Sequence, residues 1–160
     1  MKYANKLVAT VAVFSLIVTL GCGGGDDSPT PDGVPGEAIA ATWVQDEAGD
    51  VTGGPAAADF TNFEITINTT TTPGKLEYTT RNTNTLIFPS SGTFTLPDDP
   101  NFSTGAQVLR DNEVQVDIAL VGDNQLRMVF LVDSNSSIPT DNSRVAEIGG
   151  TYTFLLDKQE

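Results

Sequence analysis

The sequence predicts an all-β domain: an eight-stranded antiparallel up-and-down barrel, with a Greek-key β-sandwich as the alternative. Three observations lead there. Apolar residues recur at every second position in short runs, the period of a strand with one buried face. Proline, glycine, asparagine and serine cluster between the runs, where each favours a turn for its own steric reason. Helical periodicity is confined to one short stretch, Ser143 to Ile148. The runs fall between Glu37 and Glu160, a span of 124 residues, which suits one domain with one core.

The first strand is read at Ile39 to Gln45 and carries Trp43. An excursion from Asp46 to Asp59 separates it from the second, Phe60 to Thr69. Pro73-Gly74 suits a type II turn into the third strand, Lys75 to Arg81. A loop around Pro89, Ser90 and Ser91 leads to the fourth, Gly92 to Leu96, and Pro97 to Pro100 forms another before the fifth, Ala106 to Arg110. The sixth runs from Glu113 to Leu120, the seventh from Gln125 to Asp133 and the eighth from Thr151 to Asp157.

The sixth and seventh strands can be put in register. Val114, Val116, Ile118 and Leu120 share one face, and Leu126, Met128, Phe130 and Val132 share another. A two-residue turn would pair Ile118 with Arg127, because a slip of one residue turns every side chain over. A three-residue loop, Gly122-Asp123-Asn124, instead pairs Leu120 with Leu126, Ile118 with Met128, Val116 with Phe130 and Val114 with Val132. Such loops usually hold the third residue in a left-handed conformation, so Asn124 is expected at positive φ. Val129, Leu131 and Leu155 then face the other way. The connection from Ser134 to Gly150, with Val145, Ala146 and Ile148, is expected to fold back over them. Sequential hairpins favour the barrel, which leaves no exposed edges.

Ahead of the domain, Lys2 and Lys6 flank the start of an uncharged run, Leu7 to Leu20. At 14 residues it has the length of a signal-peptide core and falls short of the ~20 residues that span a bilayer. Gly21 supplies the small residue before Cys22, the single cysteine of the chain. Residues 1–21 read as a signal peptide and 22–36 as a lipidated cysteine with a tether. The stretch around Cys22 resembles the lipobox of bacterial lipoproteins, with Thr19 and Leu20 where leucine and a small residue are usual. The resemblance implies acylation of Cys22, and an otherwise unpaired thiol in a secreted chain fits that use. Three acyl chains at about 0.8 kcal/mol per buried methylene anchor a protein durably, where one chain is marginal. Gly23 to Gly36 holds glycines, prolines and aspartates with almost nothing apolar to bury, so a disordered tether is expected. Its glycine run and Asp26-Asp27 pair also resemble the surface-export signals of lipoproteins in Bacteroidetes-type bacteria. That implies the outer membrane, with the cell surface favoured over the periplasmic face.

Charge excludes one large class of partner. The chain carries 21 acidic and 8 basic residues, a formal charge of −13, and loss of Lys2 and Lys6 with the leader makes it more negative still. The remaining bases, Lys75, Arg81, Arg110, Arg127, Arg144 and Lys158, are scattered, whereas nucleic acid requires clustered ones. The acyl chains, not the folded surface, are therefore the expected membrane contact. Histidine is absent, which with Cys22 acylated excludes Ser-His-Asp and Cys-His catalysis and the usual zinc sets. Asp133 to Ser137 begins like a calcium loop, but Ile138 stands where glycine is needed and Arg144 where the closing glutamate belongs. No enzyme, cofactor or metal site is expected.

The strings FPSSGTFTL (Phe88 to Leu96), VLRDNEVQVDIAL (Val108 to Leu120), LRMVFLV (Leu126 to Val132) and GGTYTFLLDK (Gly149 to Lys158) are similar to a group of small lipocalin-like lipoproteins of Bacteroidetes-type bacteria. AATWVQ (Ala40 to Gln45) resembles the Gly-x-Trp of lipocalin strand one, with Ala41 at the glycine position. The resemblance implies a small apolar ligand inside the barrel. Trp43, Phe94, Met128 and Phe130 are the cavity candidates, although such side chains are more often plain core. The other expectation is a structural or adhesive module with a filled core that binds a protein or glycan through its loops.

Overall fold

The computed structural model of the chain describes residues 35–47, 49–133 and 148–160. The signal peptide, Cys22, the tether up to residue 34 and nearly all of the connection after Asp133 lie outside the described residues. What is described belongs to one compact unit, Asp32–Glu160, that carries its own core.

Nine strands form one antiparallel sheet: β1 (Thr42–Val44), β2 (Val51–Gly53), β3 (Glu64–Thr69), β4 (Lys75–Arg81), β5 (Ser91–Thr95), β6 (Ala106–Arg110), β7 (Val114–Val121), β8 (Gln125–Val132) and β9 (Gly150–Lys158). From β3 to β9 each strand pairs with its successor in the chain, and β1 pairs with both β3 and β9, so the sheet closes. β1 and β2 occupy one position in it. Val44 faces Asp157 on β9, while Val51 faces Phe154 and Gly53 faces Tyr152. The residues between Val44 and Val51 loop out of an otherwise continuous stave. The fold is thus an eight-stave up-and-down barrel, as the hairpin pattern predicts, and a two-sheet sandwich does not form. β2 was not read from the sequence: its three residues sit inside the excursion from Asp46 to Asp59, too short for a period-2 signal.

Strand alternation fixes what points inward. Buried positions alternate along β4, β6, β7 and β8, and Tyr152, Phe154 and Leu156 are buried on β9. The β7–β8 hairpin has the predicted register, with Leu120 opposite Leu126, Ile118 opposite Met128 and Val116 opposite Phe130 across a three-residue loop. The backbone of that loop differs from expectation. Gly122 takes positive φ (66°), and Asn124 is not among the residues with positive φ. A glycine in the first loop position reaches the left-handed region without a Cβ penalty, so the asparagine need not. Pro73-Gly74 turns as predicted, with Gly74 at φ 70° and Lys75 N–H donating to Thr72 C=O at 3.2 Å.

The two ends of the barrel differ. At one end, here the entry end, the chain arrives through Pro35 and a 3₁₀ turn, Glu37–Ile39. Ile39 is fully buried and its carbonyl accepts the Trp43 indole N–H at 2.9 Å. Gly36, counted with the tether in the sequence reading, is buried against Leu76 and Leu96. The Pro73-Gly74 turn, the Gly122 loop and the end of β9 lie at this end as well. The other end, the far end, gathers the connections between β2 and β3, β4 and β5, and β6 and β7.

Aromatic side chains meet across the axis. Phe154 touches Phe60, Phe63, Phe88 and Phe130 with ring centroids 4.9 to 6.0 Å apart, close to the separations that aromatic pairs prefer. Phe60 and Phe63, read as strand, lie in the connection before β3 and turn their rings into this cluster. Outside the barrel, Leu131 is 61% exposed, so no described residue covers it. The segment expected to do so lies outside the described residues apart from its end, where Ile148 is buried in the core.

Replacing Gly122 by Ala is expected to destabilise the fold by about 1 kcal/mol, because its φ penalises a Cβ even where space is open. Asn124→Ala should cost distinctly less. Urea unfolding midpoints of the two variants check the turn.

Candidate functional site

Two clefts open at the far end. The first, of about 520 Å³, lies between the β1–β2 loop and the segment Ala57 to Asn62. Its loop is held from within: the Asp50 carboxylate accepts the backbone N–H groups of Asp46 and Glu47 at 3.0 and 2.7 Å. The Gln45 side-chain oxygen accepts that of Phe63 at 3.2 Å.

The second cleft, of about 900 Å³, is bounded by the β4–β5 connection (Thr85 to Pro89), the β6–β7 turn (Arg110 to Gln115) and the end of β8 (Leu131 to Asp133). Its size falls within the range of small-molecule pockets. The β4–β5 connection is pinned at several points. Ile87 and Phe88 N–H both donate to Asn84 C=O at 2.9 Å, and the Thr83 hydroxyl donates to Phe88 C=O at 2.7 Å. The Thr80 hydroxyl donates to Pro89 C=O at 2.8 Å. These bonds drive the Phe88 ring into the barrel, where it is fully buried against Phe63, Tyr78 and Phe130.

Arg110 forms the polar part of this cleft's floor. It ends β6, in phase with Ala106 and Val108, so strand parity sends it inward. It is 5% exposed. Its guanidinium carbon lies over the Phe88 ring at 4.5 Å and over the Phe130 ring at 5.0 Å, a cation–π arrangement worth about 1 to 2 kcal/mol when desolvated. The Asp111 carboxylate is 3.9 Å from Nε, near enough for charge attraction and too far for a hydrogen bond. Nε and Nη1 are buried and have no hydrogen-bond partner. Burial pulls the Arg110 pKa below its usual value, opposed by electrostatic interaction with Tyr78 and Asp111.

Asp111 is oriented by other groups. The Tyr78 hydroxyl donates to Oδ2 at 2.7 Å and the Thr93 N–H to Oδ1 at 2.8 Å. Asp111 and Asn112 both have positive φ (52° and 61°), with Glu113 N–H donating back to Arg110 C=O at 3.0 Å. This is the left-handed pair that a tight hairpin turn requires and that Asp and Asn tolerate. Gly92, opposite Tyr78 on β5, leaves the room: a Cβ there would collide with the Asp111 carboxylate and the Tyr78 hydroxyl.

The sequence-derived cavity candidates are all buried, but not in one place. Phe130 packs under Arg110, and Phe94 packs against Tyr78 in a tilted pair with centroids 4.8 Å apart. Met128 is fully buried on β8, and Trp43 lies toward the entry end with Lys158 Nζ 6.0 Å from its ring. None of the four lines the second cleft. Arg110, Phe88 and Asp111 were not singled out from the sequence. For Arg110 the signal was present, since period-2 counting from Ala106 and Val108 places it inside. Asp98, Asp99 and Asn101, the acidic and amide residues that could offer oxygen ligands to a cation, lie at the entry end, and the two aspartates are exposed. Among the described residues no three His, Cys, Asp or Glu side chains come together as a metal-ligand group. Compared with protein-family models, with curated proteins and with solved structures, the chain matches none.

Burial, then the hydrogen bond and charge of Asp111, raise the Tyr78 phenol well above its ordinary value of 10.0. The folded chain therefore keeps a proton that the unfolded chain releases. Stability from this group is complete below about pH 10 and falls as pH rises further. Tyr78→Phe should lower stability by about 1 to 2 kcal/mol near pH 7 and reduce the alkaline loss. Tyr152, also raised by burial, will leave a residual slope. Urea unfolding near neutrality and at about pH 10.5 checks both.

Proposed function

We propose that this chain is a lipid-anchored, non-enzymatic β-barrel of the bacterial outer membrane that binds its partner at the far end of the barrel. The observation that carries this reading is the opposition of the two ends. The chain enters the barrel through Pro35 and Glu37–Ile39 at one end; among clefts lined by described residues, those of about 520 and 900 Å³ open at the other, against about 340 and 400 Å³ at the entry end. The tether expected after Cys22 joins the barrel at the entry end, so the far end is free of the attachment. Surface display, favoured by the glycine and aspartate residues after Cys22, would present that end to the surroundings.

Of the two expected binding modes, the ring contacts across the axis favour the filled-core module over an apolar ligand held inside the barrel. Eight staves give an interior that side chains are just able to fill, and Phe88 is fully buried from the far side while Ile39 is from the entry side. The fold by itself assigns no activity. The lipoprotein reading rests on Leu7 to Cys22, and the absence of histidine from the chain supports a binding role over a catalytic one.

Cys22→Ser is expected to abolish acylation and to release the chain from the membrane fraction, followed by mass spectrometry of the amino-terminal peptide and by fractionation. Asp32–Glu160, which contains the whole described core, should show no stoichiometric uptake of an apolar fluorescent probe. Saturable one-to-one uptake displaced by a long-chain alcohol would return the ligand to the interior and overturn the far-end reading.

A further inference from the structure

We infer that the second cleft is a receptor for a small monoanionic carboxylic acid, its carboxylate bonded to Arg110 and its apolar part lying on Leu86, Val114 and Leu131. The inference rests on the far-end reading above and gives it a ligand chemistry.

Three observations converge. First, Arg110 is a buried cation whose Nε and Nη1 have no acceptor. A buried donor left unpaired is costly, and more so when charged, so an acceptor supplied to these groups is favoured. The Phe88 and Phe130 rings meet the charge of the guanidinium but offer no acceptor to its in-plane N–H groups. Asp111 does not supply one either: Tyr78 and Thr93 hold its two oxygens, leaving it 3.9 Å from Nε. Second, Arg110 lines the cleft formed by the described residues, so a molecule entering that cleft meets this side chain. Third, the cleft carries apolar side chains above that floor. Leu86 and Val114 are half-buried and Leu131 is 61% exposed, an unusual exposure for leucine on a strand.

The chemistry selects among acceptors. A planar carboxylate matches the guanidinium and forms charge-assisted bonds about twice as strong as those of a neutral carbonyl. Asp111, Glu113 and Asp133 border the same cleft. Added negative charge is therefore penalised, and a phosphate carrying up to two charges is disfavoured against a single carboxylate. Glu113 and Asp133 are exposed, so solvent screens their effect on a monoanion bound at the buried guanidinium.

The test uses Asp32–Glu160 labelled with ¹⁵N, with hexanoate and benzoate as probes and hexanol and inorganic phosphate as comparisons. Both carboxylates should shift the Arg110 Nε–H resonance saturably, while hexanol and phosphate leave it in place. Arg110→Met should reduce hexanoate affinity roughly tenfold or more. It should leave thermal stability equal or higher, because a buried charge is replaced by an apolar side chain of similar length. Leu131→Asp should weaken hexanoate roughly three- to tenfold through lost apolar contact and added repulsion. An Nε–H unmoved by either carboxylate would overturn the site, as would an equal response to hexanol or phosphate. If that happened while Cys22→Ser still freed the chain from membranes and the apolar probe was still refused, the tethered far-end module would stand without this ligand.

Discussion

Closure of the sheet on β9 is the constraint from which the rest of this structure follows. β9 pairs with β8 along eight residues, from Gly150 to Asp157. Its other edge is shared by two short strands, β2 near its start and β1 near its end. Without that second edge both β9 and β3 would expose unpaired backbone, a liability in any sheet. The split stave needs local fitting. Gly53 lies so close to the Thr151 carbonyl that a Cβ would collide with it, and Gly54 lies equally close to the Tyr152 ring. The Tyr152 hydroxyl donates to Ile148 C=O at 2.7 Å and accepts from Ala56 N–H at 3.4 Å. The far-end closure is thereby tied to the entry into β9.

Closing eight staves sets the width of the interior, and width dictates occupancy. The inward positions of β3, β4, β8 and β9 carry aromatic or large aliphatic side chains that meet near the axis. Phe88, delivered by a connection instead of a strand, adds a further ring to them. That plug creates the polar site above it. With Phe88 and Phe130 beneath, the inward position at the end of β6 can hold a cation whose charge the rings moderate, and Arg110 occupies it. The arrangement is costly for stability alone, since buried ionic groups are commonly replaceable by apolar ones at no loss. Its presence beside an open cleft is what gives it a functional reading.

Asp111 shows how one residue serves turn, packing and electrostatics together. Its left-handed backbone makes the β6–β7 turn, its carboxylate accepts from Tyr78 and Thr93, and its charge stands near Arg110. Gly92 is the small residue that permits all three. Because β4, β5 and β6 each contribute to this group, a change in any of them reaches the floor of the cleft.

Much of the architecture was legible in the sequence because a strand with one buried face writes its own pattern. Alternation locates eight of the nine strands, and the requirement that apolar faces coincide sets the β7–β8 register without reference to the rest of the fold. The same parity, extended along Ala106, Val108 and Arg110, determines that an arginine points into the core. Other features had no local signature. β2 is defined by its partners on β9, about a hundred residues away, and Gly122 took the left-handed position because a hairpin needs only one residue to absorb the strain. The cleft, the plug of Phe88 and the two Arg110 nitrogens left without an acceptor were decided only by tertiary structure. Whether a buried donor finds an acceptor depends on which distant residues surround it, and closure of the barrel alone brings Phe88, Arg110, Asp111 and Phe130 together.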